Sequence, residues 1–101
     1  MSKSFRLEVF TPSNNFYSGE VEEVVITTPL GKEAFMADHS YVCKLLDVGE
    51  LWIRERGAST GDWKIASAAG GFIDVKEDIV IYTDAIEWDK GPEKRKSRIA
   101  K

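Results

Sequence analysis

The side chains best able to do chemistry are scarce in this sequence, which has one histidine, His39, and one cysteine, Cys43. A histidine acts as a catalytic base or a metal ligand only with partners at defined positions, and no second histidine or cysteine-rich segment supplies them. We therefore predict a structural or interfacial role for His39. Cys43 lies in an apolar stretch, which predicts a small buried thiol rather than a nucleophile. The sequence predicts no catalytic residue, no metal site and no cofactor.

Two other features have both a functional and a structural interpretation. Gly70-Gly71 is followed by neither a Lys-Ser nor a Lys-Thr pair, so it indicates a β-bulge or a close backbone approach rather than a phosphate-binding loop. Trp52 lies between Leu51 and Ile53, and if these two point inward its ring points outward, where it needs cover. Either a second sheet or a partner protein can supply that cover, and the sequence leaves both open.

Length and composition limit the class of protein. The chain has 101 residues and a mass of 11.3 kDa, which suits one domain, with 43% hydrophobic and 31% charged residues, as in soluble globular proteins. No apolar run approaches the roughly 20 residues that cross a bilayer, and the N-terminus has no apolar signal core. We expect a cytoplasmic protein.

The charge is divided unevenly along the chain. Residues 90–101 contain six basic side chains and one acidic, a net charge of +5, whereas residues 1–89 contain eight basic and sixteen acidic, a net charge of −8. An acidic body repels phosphates, so we expect no nucleic-acid partner. We predict one domain over residues 1–89 and a flexible basic tail over residues 90–101, because the tail has one large apolar side chain, Ile99.

Period-two alternation dominates residues 5–83, with turn signals about every 8–12 residues and no helical segment between them. This pattern predicts an all-β protein, an antiparallel β-sandwich of about ten short strands. Residues 41–46 also fit a helical stripe, but a turn at residues 47–50 ends the segment too early for a stable helix. The predicted core includes Leu7, Val9, Val25, Leu45, Ile53, Ile65, Phe72 and Ile81.

The order of short motifs resembles the N-terminal β-sandwich domain of the epsilon subunit of bacterial F-type ATP synthase. The resemblance covers about residues 5–85. The motifs are the segment 7–12 (LEVFTP), the segment 16–22 (FYSGEVE), Gly31 with His39 eight residues later, Gly49, and the segment 70–75 (GGFIDV). Where the family usually has Glu, Gly and Pro-Gly in the stretch 31–39, this chain has Lys32, Ala34 and Ala37-Asp38.

The resemblance implies a non-catalytic subunit of the central rotor that links the gamma subunit to the membrane ring of c subunits in proton- or sodium-driven ATP synthesis. It implies a peripheral location on the cytoplasmic face of the bacterial inner membrane, with no membrane insertion and no need for homo-oligomers. The implied gamma interface is Thr11, His39, Lys44 and Ala69. The implied c-ring contact is Gly31, Lys32 and Glu33.

The family's second half, a helical hairpin that can inhibit rotation, has no counterpart in the twelve residues after Asp89. We therefore expect this chain to couple gamma to the ring without gating hydrolysis through its tail. A second hypothesis remains open: a free-standing β-sandwich that binds a protein or a small ligand through Trp52 and the loop 57–62. An enzyme is the third and least favoured hypothesis.

Overall fold

The computed structural model describes residues 3–89 and confirms the predicted all-β class. The strands are β1 (Phe5–Phe10), β2 (Asn15–Thr28), β3 (Gly31–Met36), β4 (Val42–Glu55), β5 (Lys64–Val75), β6 (Ile79–Thr83) and β7 (Ile86–Trp88). No helix long and apolar enough to cross a membrane occurs in residues 3–89. The predicted basic tail lies outside the described residues.

Three long strands, β2, β4 and β5, each take part in both sheets. The structure therefore has seven strands, where about ten were predicted. Residues 15–21 of β2 pair with β1, whereas residues 21–28 pair with β3 and β4. β4 and β5 pair with each other along most of their length, and β5 pairs with β6 at one end and β7 at the other. The breaks expected near residues 18–19, 47–50 and 70–71 therefore fall inside continuous strands.

All seven strands belong to one hydrogen-bonded sheet, which the β1–β2 pairing closes. This sheet folds into two layers around one core, here called the first and the second sheet. The first sheet contains β1, β6, residues 71–75 of β5 and residues 42–46 of β4, with residues 15–21 of β2 beside β1. The second sheet contains β3, residues 21–28 of β2, residues 50–55 of β4, residues 64–68 of β5, and β7. The pairing of β1 with β6 is parallel, whereas the prediction was wholly antiparallel. These two strands are distant in sequence, so no hairpin fixes their direction.

A bulge in β2 decides which of its residues enter the core. The register with β4 shifts between Val21 and Glu23, so the alternation moves by one residue. Val21 and Val24 consequently both point inward and are fully buried. Ile26 continues the buried face, while Val25 points outward beside Trp52 and Ala34.

Burial confirms five of the eight predicted core residues and overturns three. The confirmed residues are Leu7, Val9, Ile53, Ile65 and Ile81. The wrong ones are Val25, which is partly buried on the outer face, and Leu45 and Phe72, which are exposed. The expectation of a buried Cys43 is also wrong, since its thiol is exposed. Alternation divides a strand into two faces but does not say which one is buried. In the segments that contain the wrongly predicted residues, the face opposite to the predicted one points into the core.

Gly71 confirms the predicted close approach of backbones. A Cβ atom added there would lie 1.9 Å from the carbonyl oxygen of Tyr82, and the φ angle of Gly71 is +135°, a conformation that residues with side chains rarely adopt. Gly70, with φ of +94°, precedes it. The pair therefore lets β5 pass close beside β6 where β5 changes sheets.

Aromatic packing joins the sheets near the start of β2. The Phe16 and Trp88 rings lie 4.7 Å apart, and the Tyr17 ring packs edge-on against Trp88. Tyr17 donates a 2.7 Å hydrogen bond to Glu55, and burial, followed by this bond, raises the pKa of the Tyr17 phenol well above its usual range. The contact therefore holds as the neutral phenol.

Candidate docking surface

An exposed row of apolar side chains crosses the first sheet. Phe10 is directly opposite Tyr82, Tyr82 is opposite Phe72, and Phe72 is opposite Leu45. Directly opposite residues lie on the same face of a sheet. These four residues, here called the apolar row, therefore span four strands on the outer face of the sandwich.

The rings in the apolar row stack on one another and remain open to solvent. The Phe72 and Tyr82 centroids are 4.8 Å apart and those of Phe10 and Tyr82 are 5.9 Å apart, both with ring planes 26° from parallel. Leu45 is 69% exposed, Phe72 is 43% exposed and Tyr82 is 42% exposed. A continuous exposed apolar surface of this kind marks an interaction site more often than a single exposed leucine does.

Two shallow depressions extend this surface toward the end of the sandwich that holds the β1–β2 turn. One, of about 220 Å³, is lined by Phe10, Phe72 and Tyr82 of the row together with Thr11. The other, of about 440 Å³, lies between Val48, Ala69, Ala85 and Ile86. Val48 is 71% exposed and directly opposite Ala69. The row and the depressions together offer an apolar surface with Asp84 and Glu87 in the walls of the depressions, and an apolar centre with a polar border suits a protein partner.

The outer face of the second sheet also carries large aromatic rings, but the chain itself covers them. The Trp52 and Trp63 rings meet edge-on with centroids 5.7 Å apart, and the Lys32 ammonium lies 4.6 Å from the centre of the Trp52 ring. The Trp52 indole donates a 2.9 Å hydrogen bond to Glu50, whose carboxylate also lies 3.7 Å from Lys32. The sequence left open what covers Trp52, and in the structure other side chains of the same chain cover it.

A mostly buried charge cluster borders these tryptophans. Arg54 donates hydrogen bonds of 2.8 Å to Glu22 and 3.1 Å to Glu23, and its guanidinium lies 5.8 Å from the Trp63 ring centre. Glu22 also accepts the backbone N–H of Gly57. The hydrogen bond to Glu23 is the main cause that raises the pKa of Arg54. Because these charges already pair with one another, the cluster is a structural feature and not a ligand-binding site.

The structure does not bring the four predicted gamma-interface residues together. Thr11 and Ala69 lie in the two depressions beside the apolar row. Lys44 is opposite the buried Ile73, and its ammonium binds the Glu33 carboxylate across the gap between β4 and β3. His39 packs against Phe5 at the start of β1, roughly 20 Å from Thr11 at the other end of that strand.

The three predicted c-ring residues follow the turn between β2 and β3. Gly31 opens β3 with φ of +118°. Lys32 lies over Trp52, and Glu33 binds Lys44, so both side chains are engaged within the chain. The neighbouring Leu30, which sequence reasoning passed over, is 96% exposed at the tip of this turn.

The apolar row itself was missed from the sequence, although a signal for it was present. Leu45 shares its face with Asp47, and Phe72 shares its face with Asp74, two residues further along each strand. A charged residue at that spacing marks the solvent face of a strand. The arrangement can bind another protein by shape and apolar contact.

The comparisons with known proteins agree on one family. The family described as the ATP synthase, Delta/Epsilon chain, beta-sandwich domain matches residues 4–89. The ATP synthase epsilon chain of Caldanaerobacter subterraneus is 36% identical over 103 residues, which cover all of this chain and 72% of that protein. The epsilon chain of Alkaliphilus metalliredigens is 40% identical over 90 residues, covering 87% of this chain and 63% of that one.

Solved structures share the fold at lower identity. A chain of the Euglena gracilis mitochondrial ATP synthase superposes with a TM-score of 0.78 at 19% identity, over 95% of this chain and 61% of that chain. A chain in the Tetrahymena thermophila central stalk and c-ring superposes with a TM-score of 0.68 at 15% identity, over 98% and 91%. The family match over residues 4–89 and the 36% identical relative show that this chain belongs to the ATP synthase Delta/Epsilon family, as an epsilon chain with a β-sandwich domain.

Proposed function

We propose that this chain is a non-catalytic subunit of the central rotor of an F-type ATP synthase, and that it joins the gamma subunit to the membrane ring. Its relatives are ATP synthase epsilon chains, and one structure with the same fold is part of a central stalk with its c-ring. The chain acts by contact and supplies no reacting group. In this role it lies at the cytoplasmic face of the bacterial inner membrane as a peripheral part of the complex.

The apolar row is the observation that carries the proposed gamma contact. A rotor subunit must transmit torque through an interface that does not slip, which requires a well-packed apolar centre. Leu45, Phe72 and Tyr82 offer such a centre on a rigid sheet, and stacking already fixes the two rings. Thr11 and Ala69, both implied by the family resemblance, lie at its border. We place the gamma contact on this face, and Lys44 and His39 outside its centre.

The turn between β2 and β3 is the proposed ring contact. Thr28 closes this turn, since its hydroxyl donates to the carbonyl of Gly31 and accepts the backbone N–H of Leu30. The turn is therefore rigid, and it projects Leu30 beyond Gly31, Lys32 and Glu33. We propose that Leu30 and Gly31 approach the loops of the ring, while Lys32 and Glu33 hold the turn to the body of the sandwich.

The alternative is a free-standing module that binds through Trp52 and the loop 57–62, and its best support in the sequence is the departure from the family pattern at Ala34, Ala37 and Asp38. Lys32 and Trp63 cover the Trp52 ring within the chain, so Trp52 no longer supports this alternative. The exposed apolar surface lies on the other face of the molecule. Its size and the family membership both favour the rotor subunit.

Binding to purified gamma subunit of the same organism tests the proposal. Leu45→Asp places a charge at the β4 end of the apolar row, on its most exposed side chain, and we expect it to raise the Kd at least about tenfold. Met36→Asp is the matched control, because Met36 is 54% exposed on the strand β3, away from the row. Its Kd should stay within about twofold of the wild-type value. Equal weakening by both variants, or no binding by the wild-type chain, would overturn the proposal.

A further inference from the structure

Residues 42–46 of β4, here called the β4 edge, keep one side open although the β1–β2 pairing closes the sheet as a whole. On one side they pair with β5. On the other side β2 pairs with β4 only over residues 52–55, and within residues 3–89 no strand pairs with the β4 edge there. β3 reaches this part of β4 through the Lys44–Glu33 ion pair and not through backbone pairing.

The backbone groups of Cys43 and Leu45 point to this open side. The carbonyl oxygen of Leu46 lies 3.4 Å from the position that a Cβ atom would take at Gly70, so Leu46 directs its carbonyl toward β5. Successive residues of a strand direct their N–H and C=O groups to opposite sides. Leu45 and Cys43 therefore direct theirs away from β5. Within residues 3–89, no hydrogen bond from another part of the chain reaches these four groups.

The β4 edge lacks the features that keep an open edge from pairing. Proteins protect such an edge with charged side chains or keep the edge strand very short. β3, which pairs only with β2 in the described part of the chain, carries Lys32 and Glu33, and β7 has only three residues. On the outer face of the β4 edge, Cys43 and Leu45 are exposed and uncharged, while Lys44 between them is bound to Glu33. The β4 edge can therefore accept another strand.

The β4 edge is continuous with the apolar row. The row crosses β1, β6 and β5 and ends at Leu45, which is 69% exposed and lies on the open edge itself. A strand added beside β4 would place one side chain directly opposite Leu45 and on the same face. An apolar residue at that position would extend the row to a fifth strand. A single partner can therefore cover the row and pair with the edge.

We infer that an extended segment of the gamma subunit pairs with the β4 edge as an added strand, with backbone hydrogen bonds to Cys43 and Leu45 and an apolar side chain opposite Leu45. The inference rests on the proposed function, since it takes the apolar row to be the gamma contact. Apolar contact has no direction and permits sliding, whereas hydrogen bonds between strands fix one register. A fixed register suits a rotor joint that transmits torque.

Amide hydrogen exchange of the ¹⁵N-labelled chain, alone and with saturating gamma subunit of the same organism, tests the inference. The amides of Cys43 and Leu45 should exchange rapidly in the free chain and at least about a hundredfold more slowly in the complex. Binding of gamma with rapid exchange at both amides would overturn the inference and leave the proposed function standing, whereas absence of binding would overturn both. Protection that grows with the concentration of the free chain would assign the edge to a second copy and would also overturn the inference.

Two substitutions at Cys43 separate the backbone from the side chain. Cys43→Ala keeps the backbone N–H, whereas Cys43→Pro removes it, and an edge strand tolerates proline where the N–H faces away from the sheet. Cys43→Pro should therefore bind gamma at least about fivefold more weakly than Cys43→Ala. Equal affinities of the two variants would overturn the inference. Should Cys43→Pro fail to fold, the exchange rates of the wild-type chain still decide.

Discussion

The two outer faces of this sandwich carry similar aromatic side chains and treat them in opposite ways. On the second sheet, Trp52 and Trp63 lie beneath Lys32 and Arg54, whose charges are paired with glutamates. On the first sheet, residues 3–89 give the apolar row no such cover, and Leu45, Phe72 and Tyr82 are exposed within this part of the chain. A long charged side chain can hide apolar surface along its own stem. The chain thus covers the rings on the second sheet with its own charged side chains, and the open rings on the first sheet support the proposed contact with gamma.

Among the variants considered, Gly71→Ala should have the largest effect on stability, and it acts on the first sheet, which carries the apolar row. The added methyl group would meet the Tyr82 carbonyl oxygen, and the positive φ of Gly71 would be strained. We expect the free energy of unfolding to fall by at least about 3 kcal/mol, measured by urea denaturation. Gly57→Ala is the control, since its φ is also positive but nothing lies within 4 Å of the added atom, and it should cost about 1 kcal/mol. Equal losses would refute the close approach.

Arg54→Ala disturbs the outer face of the second sheet, where charged side chains cover the aromatic rings. It leaves two mostly buried carboxylates, Glu22 and Glu23, without their shared cation, and it uncovers Trp63. We expect a loss of about 3 kcal/mol in the free energy of unfolding and no change in affinity for gamma. Glu22→Gln in the Arg54→Ala background should restore part of the loss, because it leaves one negative charge instead of two beside the vacated arginine position. A loss below about 1 kcal/mol would show that the cluster contributes little.

Truncating one ring on each face compares the two faces most evenly. Trp52→Ala should cost about 2–3 kcal/mol in unfolding free energy, because its ring packs against Trp63 and Lys32. Phe72→Ala should cost only about 1 kcal/mol, since 43% of Phe72 is already exposed. For gamma affinity the order should reverse, with Phe72→Ala about tenfold weaker and Trp52→Ala unchanged. The same order in both measurements would remove the distinction between the faces.

The Lys44–Glu33 pair should give the smallest effect. About a third of each side chain is exposed, so solvent screens the pair. The double variant Lys44→Met with Glu33→Met should change the unfolding free energy by less than about 1 kcal/mol. Raised salt should leave the wild-type value nearly unchanged, and a marked salt dependence would show that this contact holds β3 and β4 together.

The sequence predicted the strands well and their inward faces less well. Alternation placed Leu7, Val9, Ile53 and Ile81 correctly in the core. For Leu7 and Val9 the signal was clear, because the charged residues Arg6 and Glu8 lie on the other face of the strand. Phe72 and Leu45 were misassigned because hydrophobicity alone was weighed, while Asp74 and Asp47 at the next position on the same face were not. Strand sharing between sheets was also hidden, since a turn signal and a bend inside a continuous strand use the same glycines.

The candidate docking surface can be identified only when the register between the strands is known in addition to the sequence. Phe10, Leu45, Phe72 and Tyr82 belong to four strands, and only the pairings of β1, β6, β5 and β4 align them. The family resemblance implied Thr11 and Ala69, which border the row, but it also implied His39, which lies at the other end of the molecule. A resemblance in the order of motifs does not tell which of the matched residues lie on the same face of the fold. Their role in binding gamma stays a prediction.

The native cysteine provides the most direct test of the uncovered face. Cys43 is exposed and lies two residues before Leu45 on β4, so it shares the face of the apolar row. The rate of maleimide labelling of Cys43 should be compared in the free chain and in the assembled ATP synthase. If gamma covers this face, assembly should slow labelling at least about tenfold. An equal rate in the free chain and in the complex would contradict the account.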